Sequence, residues 1–78
     1  MLEPKKLKPG ELGNRVRRYR FMKNEMTQRE LADAVGVSRQ TIHAIEAGKF
    51  NPSVRLALKL AAELEVGIAE LFFLQEDK

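Results

Sequence analysis

Seventy-eight residues, 44% of them hydrophobic and 32% charged, suit one small folded domain and exclude a two-domain enzyme or a disordered polymer. With no cysteine, neither a disulfide framework nor a thiolate zinc site can hold the fold, so stability is expected from packed helices. The net charge of +3 divides unevenly, +6 over residues 1–55 and −3 over residues 56–78, so the basic end either faces a polyanion or is a solvated charged surface.

Residues 1–11 hold two prolines, three lysines and a glycine with no apolar periodicity, and are expected to form a flexible arm. They lack the apolar core of a signal peptide, and runs such as LFFL at 71–74 fall far short of the roughly 20 residues of a membrane span. No membrane role is therefore expected, and the expected compartment is the cytoplasm. The domain proper is expected over 12–74, with a tail at 75–78.

Leu12, Val16, Tyr19 and Lys23 follow helical spacing, with Arg20 on the same face, and predict a first helix of about three turns that Asn24 and Glu25 end. Thr27-Gln28-Arg29-Glu30 fits a capping box and starts a second helix, which buries Leu31, Ala32 and Val35 and stops at Gly36. Ser38 caps a third helix running through Ile42 and Ile45 to a stop at Gly48. Asn51-Pro52-Ser53 introduces a fourth helix, Val54 to Glu65, and Val66-Gly67 separates a short fifth near Ile68–Phe73. No strand-like alternation is found. The fold class is all-α, a compact five-helix bundle.

Two short helices joined by Gly36-Val37 are the unit that lets a second helix enter a DNA major groove while the first braces it across the backbone. With Ile42 and Ile45 as the buried stripe, Gln40, Ala44 and Ala47 face outward, flanked by Thr41 and His43. Gln can pair with adenine, Thr can bond a base or a phosphate, and Ala can touch a thymine methyl. Arg39 stands in the first turn, where the helix dipole disfavours a cation by about 0.3–1 kcal/mol at an exposed site, and can reach guanine or a phosphate. Gln28, with its helix terminus, is a candidate phosphate contact, as are Lys49 and Asn51 in the loop after the third helix.

The run MTQRELADAVGVSRQTIHAIEAGKFNPSVRLALKLAAELEVGIAELF, residues 26–72, resembles the helix-turn-helix domain of the XRE/Cro/C1 family of transcriptional regulators, especially its short single-domain members. The resemblance rests on TQRELA at 27–32, GVSRQTI at 36–42, IEAGK at 45–49 and NPS at 51–53. It implies a lambda repressor-like fold that binds operator DNA as a homodimer. It assigns base reading to Arg39, Gln40, Thr41 and Ala44, and backbone contacts to Gln28, Ser38 and Lys49. The stretch FMKNEM is about one residue longer than the common spacing, and a short Ala at 44 beside His43 reduces the side chains available to bases.

Arg20 and Glu46 each lie on an apolar face and are expected to pair, tying the first helix to the third; the family resemblance implies a similar bridge. His43 has no partner residues at metal-ligand spacing, so no catalytic residue, metal or cofactor is expected; a groove-edge contact is, with modestly pH-dependent DNA affinity. The fourth helix is apolar around more than half its circumference, either as a central helix or as a subunit interface. Leu71 and Phe72 are expected to close the core, leaving Phe73 or Leu74 for association. The expected function is sequence-specific binding of a palindromic double-stranded operator by a homodimer joined through its C-terminal region, with repression by promoter occupancy. The alternative is a protein-interaction module, such as an antitoxin-like partner using the apolar C-terminal surface.

Overall fold

A computed structural model describes residues 6–76. Among these residues the order is β1 (Leu12–Asn14), α1 (Val16–Met22), α2 (Gln28–Val35), α3 (Arg39–Glu46), α4 (Val54–Leu64), α5 (Ile68–Leu71) and β2 (Phe72–Leu74). Most of the arm expected at the N-terminus, residues 1–5, and the end of the expected tail, residues 77–78, lie outside the described residues.

The helix ends follow from local chemistry. At α2 the Thr27 hydroxyl accepts from the Glu30 amide at 3.0 Å, and the Glu30 carboxylate accepts from the Thr27 amide at 2.8 Å, so two otherwise orphaned donors are satisfied reciprocally. Ser38 and Ser53 cap α3 and α4 in the simpler way, each hydroxyl accepting an amide three residues on at 3.1 Å. Gly36 ends α2 at φ 78°, and the open space around it shows that backbone conformation, not crowding, requires glycine there.

The expected first helix is corrected at its start, and the absence of strands is corrected with it. Leu12 belongs to β1, which pairs antiparallel with β2 in the register Leu12↔Leu74, Gly13↔Phe73 and Asn14↔Phe72. Three residues are too few for alternation to show in a sequence, and the partner lies at the far end of the chain. The ladder extends past the strands: the Gly10 N–H donates to the Gln75 carbonyl and the Gln75 N–H to the Glu11 carbonyl, both at 2.8 Å. The last residues of the expected arm are thus tied to the C-terminal segment. The fifth helix is correspondingly shorter than expected and gives way to β2 after Leu71.

At Gly13 an added Cβ would overlap the Phe73 ring. Phe73 lies under the Arg15 guanidinium, 4.3 Å from the ring centroid, and is therefore not the free aromatic surface that was an option for association. Leu74 stays 65% exposed.

The core joins Val16, Leu31, Ala32, Val35, Ile42, Ile45, Leu60, Ala61, Leu64 and Leu71, with Phe72 packed on its edge. α4 is a core helix on one side only. It buries Ala57, Leu60, Ala61 and Leu64, yet Val54 and Leu58 are exposed at 74% and 52%.

Candidate nucleic-acid interface

The outer face of α3 is partly open to solvent. Arg39 and Gln40 are exposed, while Thr41, His43 and Ala44 are half-buried. Ser38 and Thr41 share a hydroxyl–hydroxyl hydrogen bond of 3.0 Å in the first turn. Only one of the two hydroxyl hydrogens is used there, which leaves the other available to donate outward.

Ala47 is corrected. Expected on the outward face, it is the C-cap of α3 and is only 5% exposed. A helical wheel treats α3 as an isolated cylinder, whereas α1 is anchored across its C-terminal end. The anchor is Arg20, whose Nε and Nη2 donate to the two Glu46 carboxylate oxygens at 2.8 and 3.0 Å, with side chains 8% and 6% exposed. Its Nη1 donates to the Met26 carbonyl at 2.7 Å, which also fixes the loop entering α2. The forked, charge-assisted geometry meets the desolvation cost that a buried guanidinium carries.

Glu46 holds a third donor. Gln28 Nε2 donates to Glu46 Oε1 at 3.1 Å and stands 3.5 Å from His43 Nδ1. The Gln28 side chain is therefore turned toward α3, and its amide nitrogen is engaged inside the domain.

Above this network lies an open groove of about 960 Å³ between α1, the start of α2 and α3. It brings together Gln28, Arg39, Gln40, His43 and Ala44 of the sequence-derived candidates. Ser38 and Thr41 belong to the N-terminal turn of α3 and are not among the residues that line it. Lys49 is exposed in the loop beyond α3, and Asn51 lines a separate small hollow of about 290 Å³ beside β1 and Leu74.

Three further residues of the groove escape sequence reasoning: Arg17, Phe21 and Arg29. Arg17 and Phe21 stand one turn apart on α1, with the guanidinium 5.3 Å from the ring centroid, and Phe21 is 47% exposed. A basic residue four positions before an aromatic was the available signal, but only the packing of α1 against α3 shows that the pair faces the groove. Among the described residues Arg17, Arg29 and Arg39 take no part in an ion pair, and against them the groove lining sets only one unpaired carboxylate, Glu25, so the wall keeps an excess of positive charge. Also among the described residues, no three His, Cys, Asp or Glu side chains are grouped to hold a metal, and no helix is long and apolar enough to cross a membrane.

Comparison with known proteins agrees with this geometry. The helix-turn-helix family profile matches residues 16–71, from the first residue of α1 to the last of α5. The chain is an XRE-type helix-turn-helix transcriptional regulator. The regulator is 46% identical over 65 residues to an uncharacterised HTH-type transcriptional regulator of Methanocaldococcus jannaschii, covering 83% of this chain and 97% of that one. A second, from Archaeoglobus fulgidus, is 47% identical over 64 residues, covering 82% and 90%. In three dimensions the regulator superposes on the restriction-modification controller protein C.AhdI of Aeromonas hydrophila with a TM-score of 0.66 and 33% identity, over 70% of this chain and 82% of that one. The fold is that of lambda repressor-like domains, a five-helix bundle to which the two-stranded sheet is added. It is a DNA-binding family, not one of enzymes.

Proposed function

We propose that the regulator is a repressor which binds a palindromic double-stranded operator as a homodimer, laying α3 along the major groove. The observation that carries this reading is the face of α3: Arg39 and Gln40 are exposed and Thr41 and Ala44 half-buried, and Arg39, Gln40 and Ala44 line a groove that also holds Arg17 and Arg29. Arg39 and Gln40 are the residues with side chains long enough for bidentate base contacts. Ser38, Lys49 and the backbone amides at the start of α2 provide phosphate contacts that set the register. Asn51, set apart beside β1, has the weakest support of the candidates.

Dimerisation through the C-terminal half is supported by Val54 and Leu58 on α4, Ile68 on α5 and Leu74 in β2, all exposed apolar side chains. A two-fold pair would place two α3 helices about 34 Å apart, one turn of DNA. Its place of action is the cytoplasm, with the DNA.

Selection of bound duplexes from a random pool at stated salt tests specificity and half-site spacing together. A repeated inverted motif that weakens on Arg39→Ala and Gln40→Ala is the expected result. A pool that stays random would remove specific regulation. The same apolar side chains favour the second reading, a protein-interaction module, which gains if partner binding ignores Arg39 and Gln40 but is lost on Leu58→Glu or Leu74→Glu.

A further inference from the structure

Gln28 sits between two groups of known polarity, and this fixes the proton arrangement of the histidine beyond it. A carboxylate has only acceptor atoms, so the Gln28 atom 3.1 Å from Glu46 Oε1 must be the amide nitrogen. The carboxylate cannot turn away, because both of its oxygens are gripped by Arg20. Gln28 Nε2 carries two hydrogens. One is committed to Glu46, which leaves the other available to the imidazole Nδ1, 3.5 Å away, a long and weak contact. Nδ1 can meet a donor only as a lone pair. In the neutral ring the proton must then reside on Nε2, which has no protein partner among the described residues and belongs to a side chain lining the groove.

We propose that Gln28 locks His43 in the Nε2–H tautomer, so that His43 enters the DNA interface as a hydrogen-bond donor. Gln28 is then a positioning residue. The matching atom on DNA is an acceptor: a phosphate oxygen, or a purine N7, guanine O6 or thymine O4 on the groove edge. A cytosine amino group opposite His43 is excluded, because two donors would face each other. The inference rests on the DNA-binding reading of α3 for its ligand, whereas the tautomer belongs to the free protein.

The chain has a single histidine, so its ring nitrogens can be assigned without ambiguity by long-range proton–nitrogen NMR. In the free protein with the ring neutral, Nε2–H alone is expected. In Gln28→Leu, and in the more flexible Gln28→Met should the first variant unfold, a mixture with Nδ1–H is expected. An Nδ1–H ring in the parent protein, or a tautomer balance unmoved by both variants, would overturn the lock. On duplex DNA, His43→Gln, which keeps an N–H near the Nε2 position, is expected to bind within about threefold of the parent, and His43→Ala about tenfold more weakly. A loss equal on all duplexes identifies the acceptor as a phosphate oxygen, and one that depends on a single base pair identifies a base edge. If His43→Ala binds as well as the parent, the donor role is wrong. If the parent itself binds no duplex, the DNA-binding reading fails while the NMR result stands.

Discussion

In Glu46→Leu the Arg20 guanidinium would lose its bonds of 2.8 and 3.0 Å and keep the Met26 carbonyl at 2.7 Å and the Phe21 ring, 4.9 Å to its centroid, in a site that leaves its side chain 8% exposed. Gln28 would lose its acceptor as well. Stranding a buried charge in this way costs about 3–5 kcal/mol. A domain of this length has a total stability of about 4–12 kcal/mol, so the single variant gives up a large fraction of it. At about 4–8 °C per kcal/mol, even the lower figure lowers Tm by about 12–24 °C. Arg20→Met should do comparable damage by leaving the carboxylate with Gln28 as its remaining hydrogen-bond donor. The double variant removes both charges and should recover most of the loss, since apolar replacements of a buried pair are often neutral. Thermal and urea unfolding of the four proteins at two ionic strengths forms a double-mutant cycle, with a coupling energy above about 2 kcal/mol and little salt dependence expected. Additive losses below about 1 kcal/mol would show that the bridge contributes little and that α1 is held by apolar packing alone.

The other outcomes are more local. Arg17→Gln and Arg29→Gln should each lower the slope of log affinity against log salt by about one, equally on every duplex, as phosphate contacts do; a change confined to one sequence would contradict that role. Gly13→Ala should cost about 1–3 kcal/mol in thermal unfolding, because its methyl meets the Phe73 ring in a close-packed site. Gly36→Ala should cost about 1–2 kcal/mol for conformation alone, and Gly36→Asn less, since nothing crowds that position; equal melting of all three proteins would refute the left-handed turn. Leu58→Glu should leave the fold intact and shift sedimentation at tens of micromolar from dimer to monomer, whereas a parent protein already monomeric there removes the proposed interface.

What could be seen in the sequence was what depends on neighbours a few positions apart. The Thr27–Glu30 box, the serine caps and the glycine stop are short-range chemistry, and they gave α2, α3 and α4 nearly to the residue. Arg20 and Glu46 could be singled out as charges on apolar faces, and in the fold they meet at 2.8 Å. What escaped depends on tertiary contact. Leu12 has helical spacing to Val16, yet pairing with Leu74 draws it into a strand. Ala47 lies outward on an isolated helix, yet in the fold it is the C-cap of α3 and is only 5% exposed. Arg17 and Phe21 look like ordinary surface on α1 until that helix is set beside the groove. The candidates on α3 needed only one helix and its buried stripe, which is why they could be named from the sequence.

The bonding of Gly10 and Glu11 to Gln75 makes the domain a nearly closed loop of chain. Because α1 to α5 all lie between the two strands in the chain, β2 can dock on β1 only after every helix has been synthesised, which gives the helices time to form before the sheet is sealed. A circular permutant that joins these neighbouring ends and opens the exposed loop near Phe50 would begin and finish at a distance from that seal, keeping the same three-dimensional arrangement under a different order of assembly.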